Sequence, residues 1–287
     1  MIDQAVTEGG GRSDWPAITA VFVLVIGFTY SDDIVEFFAS TGPEHISTRW
    51  AIVALDLLLV AGSAVLKWHM TPPPRRFGEF LQGLLRGLWP IGAAVVLIAH
   101  LLLVTTAPPG RGWAVAGSPW LTLLTTTAFV AAMGLLLVSA LGDGSAPRGW
   151  IVPVVIGTFV VQLASAMWYP IIDVDRACTG DVSTEYFNGM VQVLPVFLVT
   201  LGLEVNYLRR SNAIRAPGQR AVAVMTVILL CVAEALAFSM LIRGHRISCG
   251  WAADWHEYIA FVATVHAAAI SLATLAWLLL AITRRPA

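Results

Sequence analysis

The feature that most constrains this chain is the recurrence of long apolar runs. A transmembrane helix rises 1.5 Å per residue and needs about 20 mostly apolar residues to cross hydrocarbon. Eight windows meet that need: Trp15 to Phe38, Trp50 to Trp68, Leu84 to Thr106, Pro119 to Leu141, Trp150 to Ile171, Glu185 to Leu208, Ala221 to Ile242 and Glu257 to Ile282. The runs are continuous rather than alternating, which sets a β-barrel aside. A soluble core is excluded by composition, because hydrophobic residues make up 57% and charged residues 12% of the chain, half the charge of an ordinary globular domain. The expected fold is an all-α integral membrane protein, a bundle of eight transmembrane helices in one domain over residues 15–287. A short Gly-rich tail, residues 1–14, is expected to be disordered and cytoplasmic.

Orientation follows from the basic residues. With eight spans and a cytoplasmic start, Arg12, Lys67, Arg75, Arg76, Arg86, Arg148, Arg209, Arg210, Arg215, Arg220, Arg284 and Arg285 fall inside, whereas Arg49, Arg111, Arg176, Arg243 and Arg246 fall outside. Cytoplasmic loops carry the excess of Lys and Arg, so both termini are expected in the cytoplasm of a bacterial-type cell membrane. The outer loops are correspondingly acidic, and they favour cations over anions. Tryptophans cluster near the span ends, including the anchor Trp168-Tyr169 beside Pro170, as amphipathic rings do at the bilayer interface.

Several local signals refine the spans. The segment Ser31 to Phe38 mixes acids with aromatics and predicts an amphipathic turn; its plain reading is a solvated helix end. The run Pro72-Pro73-Pro74 cannot be helical, and Phe77 to Leu88 resumes helical spacing, as a segment lying along the inner membrane surface would. Pro195 falls inside the sixth span and predicts a kink, because the carbonyl near Val191 loses its usual donor. The hairpins 150–208 and 221–282 each carry a cysteine followed by an acid-tyrosine pair, Glu185-Tyr186 and Glu257-Tyr258, which suggests a parallel repeat.

Six polar residues within the apolar windows share a depth of about six to nine residues from the outer end, roughly 9–14 Å at helical rise: Asp56, His100, Gln162, Gln192, Glu234 and His266. A charged side chain in hydrocarbon costs at least about 2.5 kcal/mol and finds a partner or a wet cavity. The layer therefore reads as an outward-facing site for protons, cations or a small solute, with acids and histidines as relay or ligand groups. The plain alternative is a set of interhelical hydrogen bonds that only specify packing. In functional terms the choice lies between a small transporter or channel-like protein and a non-catalytic scaffold or accessory subunit.

Two further chemistries use the same residues. His100 and His266 could ligate haem, and Asp56 with Glu234 could act as acid and base in a membrane-embedded enzyme, yet no HExxH, GxSxG, CxxC or Gly-rich phosphate loop is present. Neither a metal site nor nucleic-acid binding has support in the sequence, and the expected partners are the lipid bilayer and a cation or small solute. Of the three cysteines, Cys178 and Cys249 both fall on the outer face, where disulfides persist, and they are expected to pair. Cys231 lies within the seventh span and is expected to be a small buried apolar residue.

Overall fold

The computed structural model describes residues 15–39, 48–70, 76–106, 119–141, 151–167, 178–210, 217–242 and 249–283. The amino-terminal tail, the proline run, the Trp168-Tyr169 anchor and the connection between Thr106 and Pro119 lie outside the described residues.

Among the described residues the chain is helical throughout: α1 (Trp15–Thr29), α2 (Ser31–Ala39), α3 (Thr48–Met70), α4 (Phe77–Arg86), α5 (Trp89–Thr106), α6 (Pro119–Ala140), α7 (Ile151–Met167), α8 (Thr184–Arg210), α9 (Pro217–Ile242) and α10 (Trp251–Thr283). Each apolar window of the sequence overlaps one or two of these helices. Five helices, α3, α6, α8, α9 and α10, are long and apolar enough to cross a membrane, and α4 with α5 supplies a sixth span if the bent pair is counted as one. The chain is thus a helical membrane protein. Shorter apolar stretches lie in α1 and α7.

Two details of the spans differ from the sequence reading. The first window is two helices, broken at Tyr30, although Tyr30 N–H still donates to the Ile26 carbonyl at 3.0 Å and Ile34 N–H to the Tyr30 carbonyl at 2.8 Å. The last helix begins at Trp251 rather than at Glu257, because Gly250, at φ +124°, turns the chain and its carbonyl accepts the first N–H groups of α10.

Packing divides the bundle. One core joins α1, α3, α5, α6 and α7 around Phe28, Met133, Leu136 and Leu137, and two more join α8, α9 and α10 around Leu194, Leu201, Leu230 and Phe187. The helix α10 links the groups, packing on α7 as well as on α8 and α9, while α1 touches both α7 and α9. The most intimate crossing is at Gly157: a Cβ built there would sit 2.7 Å from the Cα of Ile270 on α10. Small residues let membrane helices approach this closely. Gly157→Ala is therefore expected to lower stability by about 1–3 kcal/mol, read as a lower denaturation midpoint; an unchanged midpoint would mean that the α7–α10 crossing is looser than described.

The end of the bundle near Lys67 is tied by side chains. The amphipathic α4 buries Phe80 and Leu84 on one face and meets α5 at 68° after Gly87 and Leu88. Trp68 stacks edge-on against Phe80 at 4.7 Å between ring centres, Trp89 Nε1 donates to Ser63 Oγ at 3.0 Å, and Lys67 Nζ donates to Ser139 Oγ at 3.3 Å. An angled amphipathic helix with Trp, Lys and Arg at its edge suits a membrane surface.

Candidate functional site

The opposite end is closed covalently. Cys178 and Cys249 form a disulfide with Cα atoms 3.9 Å apart and meet as an antiparallel bridge, the pairing expected from the sequence. Gly180, at φ +136°, turns the strand after the bridge, and Glu257 reaches back from the second turn of α10 to hold it. Its carboxylate accepts Gly180 N–H at 2.9 Å and Val182 N–H at 3.1 Å, and the residue is only 3% exposed. Glu257, the first residue of the last apolar window, is thus a buried clasp, because the two backbone donors of the bent segment need an acceptor. Glu185, its counterpart in the proposed repeat, is exposed. Asp254, in the first turn of α10, is also buried, with Asp181 as a charged neighbour, and a carboxylate at a helix N-terminus is favoured by the helix dipole.

Beside this clasp lies a cavity of about 380 Å³ between the α1–α2 unit and α9–α10. Its wall runs from Trp255 to Ile270 along α10 and from Phe22 to Phe37 along α1 and α2, roughly 22 Å at helical rise. The surface of that wall is apolar throughout. Two polar pairs lie behind it, formed by residues that line it. Near the clasp, the Tyr258 hydroxyl donates to the Asp33 carboxylate. Deeper along α10, the Tyr30 hydroxyl lies 2.6 Å from His266 Nδ1, with ring centres 5.2 Å apart and edge-on, and an imidazole N–H donates to the Val262 carbonyl one turn earlier. The break at Tyr30 gives this side chain its place, because it turns the hydroxyl from α1 towards α10. Gln162 Nε2 donates to the Thr29 carbonyl at 3.2 Å and so steadies the same break from α7. Thr29 Oγ1 and Ser31 Oγ, on either side of it, are buried without a hydrogen-bond partner among the described residues.

The six residues of the sequence-derived layer are distributed unequally. His266 and Gln162 belong to the constellation around Tyr30. Asp56 is fully buried on α3, the helix that packs against α1 and α2. His100 lies on α5, and its side chain is outside those described. Glu234 is half-buried on α9; its Oε2 is shielded from solvent and has no hydrogen-bond partner among the described residues. Gln192 is exposed on α8, one turn before Pro195, which also faces outward. Cys231 is exposed on α9, not buried as expected, because its position on the helix turns it away from α8 and α10; an outward face in a bilayer meets lipid, in which a thiol is well accommodated. Asp33, Tyr30 and Tyr258 were not singled out by sequence reasoning. The acid among aromatics at Ser31 to Phe38 was the available signal.

Compared with family models, with curated proteins and with solved structures, the chain has no match. No group of three or more His, Cys, Asp or Glu side chains among the described residues could hold a metal ion. What the site offers is an elongated pocket with an apolar surface, behind which a carboxylate–phenol pair lies near one end and a phenol–imidazole pair further in.

Proposed function

We propose that this chain is a small transport protein of a cell membrane, crossing the bilayer eight times with both termini cytoplasmic, and that the cavity between α1–α2 and α9–α10 is its solute site. The observation that carries the proposal is a cavity of about 380 Å³ with an apolar surface, lined from both sides by residues that include the paired Asp33 and Tyr258 and the paired Tyr30 and His266. That volume lies in the range of small-molecule sites. A packing-only polar layer would not need such a space. Broken helices that line a cavity are a common way for transporters to present polar groups in a membrane. His266 remains in this reading as a wall residue, with Asp56 and Gln162 as membrane-embedded support behind it, and Glu234 and Gln192 outside the wall.

Access distinguishes this reading from a scaffold. In a Cys231→Ser background, Ala263→Cys places a thiol on the cavity wall, whereas Leu278→Cys places one in the closed core. A membrane-impermeant cationic thiosulfonate is expected to modify the first faster than the second by about tenfold or more, because thiol reactivity follows access. Equal, negligible modification of both would favour the scaffold.

A further inference from the structure

Resting on the reading of the cavity as a solute site, we infer that its ligand is a single long hydrocarbon chain, of the kind carried by a lipid or another chain-bearing amphiphile. The surface of the cavity is apolar throughout. Four residues of its wall carry polar groups, but these are turned to one another: the Tyr258 hydroxyl to the Asp33 carboxylate, and the Tyr30 hydroxyl to His266 at 2.6 Å. Among the described residues, the wall therefore presents a ligand with neither a donor nor an acceptor.

That surface decides between ligand classes. A sugar, an amino acid or a hydrated ion would give up its water for a wall that returns no hydrogen bond, and polar groups buried in that way are costly. A hydrocarbon chain loses nothing of the kind. Its transfer from neighbouring lipid tails is close to neutral, since the tails are as apolar as the wall. What holds it is contact: an empty space leaves its lining without partner atoms on one side, and a chain restores them.

Shape narrows the class. The wall follows α10 for roughly 22 Å from Trp255 to Ile270, and a volume of about 380 Å³ drawn out over that length makes a passage rather than a chamber. A compact hydrophobe would fill only part of it. One leaflet of hydrocarbon is about 15 Å deep, so a chain running from Trp255 towards Ile270 keeps the direction of its bilayer neighbours. Phe37 stands 5.0 Å from Trp255, and Trp255 stands 5.4 Å from Tyr258. Aromatic rings gathered at one end of a span mark the membrane interface, where the polar end of an amphiphile stays.

The test uses the full chain, disulfide intact, carrying Cys231→Ser with Ala263→Cys, in the steroidal detergent CHAPS, which has no straight alkyl chain. The probes are 1-monooctanoylglycerol and 1-monopalmitoylglycerol, which share one uncharged head, with naphthalene as the compact comparison. The palmitoyl probe is expected to slow modification of the Ala263→Cys thiol by the cationic thiosulfonate about fivefold or more, and saturably, whereas the octanoyl probe and naphthalene slow it less than about twofold. Cys231 of the otherwise unaltered chain, exposed and outside the cavity wall, should be slowed by none of them. A thiol that reacts readily, but whose protection does not grow with chain length, leaves the solute site standing and overturns the chain assignment; so does protection by naphthalene alone. A thiol that fails to react even without a probe overturns the solute site and the chain with it. Dipalmitoylphosphatidylcholine separates the two sources of such a chain. Protection by it equal to that of the monopalmitoyl probe assigns the ligand to bilayer lipid, protection by the monopalmitoyl probe only assigns it to a single-chain amphiphile, and either supports the chain.

Discussion

Replacement of both bridge cysteines, Cys178→Ser with Cys249→Ser, is expected to lower the denaturation free energy by about 2–4 kcal/mol. The bridge spans a sequence separation of 71 residues, and a loop of that length gives roughly 4 kcal/mol in the chain-entropy account. Helices that stay formed in the denatured membrane state reduce the figure, since less freedom is then regained. The damage should be local first. Trp251 and Trp255 both pack on Phe37 at 5.0 Å between ring centres, so release of the start of α10 should expose them and shift their emission to the red. An unchanged midpoint together with unchanged emission would show that the clasp holds without its covalent link.

Glu257→Ala is expected to cost a similar amount, about 2–4 kcal/mol. Two hydrogen bonds to a charged acceptor are lost, and the Val182 donor is left buried without its partner. The two lesions act on one short segment, so their effects should not add. A cycle combining the cysteine replacements with Glu257→Ala should return a coupling of about 1 kcal/mol or more, as interactions sharing one structural unit do. Strict additivity would mean that the disulfide and the carboxylate restrain different parts of the loop.

How much of this was legible in the sequence depended on which coordinate was being read. Hydropathy reports position along the membrane normal, and the apolar windows accordingly coincide with helices. The cysteine pairing was legible for a related reason, since two of the three thiols fall in loops at the same end of the apolar windows. Rotation about each helix axis was not legible. Gln192 and His266 stand at similar depth in the sequence reading, yet one faces outward and the other lies 2.6 Å from a tyrosine hydroxyl. The helices α8 and α9 are apolar on their outward faces as well as inward, so periodicity gives little indication of which face meets protein. Asp33 was missed because acids near a span end read as solvated, and Glu257 and Tyr258 were legible only as one pair of the suggested repeat. What was missing in each case was a partner distant in sequence: Tyr258 on α10 for Asp33, and the Gly180–Val182 backbone for Glu257.

The length of α10 has a bearing on the two polar pairs. Its 33 residues rise about 50 Å, against a hydrocarbon layer about 30 Å thick, so the helix cannot lie wholly in hydrocarbon. The end that carries Trp251, Asp254, His256 and Glu257 is the more polar one, and its aromatic residues suit the headgroup region. Tyr258 then stands near the interface, and His266, eight residues on, about 12 Å deeper. The pairs Asp33–Tyr258 and Tyr30–His266 would thus occupy different dielectric media within one continuous cavity. Coulomb energy at fixed distance scales inversely with that dielectric. A charge moved inward from the first pair to the second would therefore meet a rising electrostatic barrier.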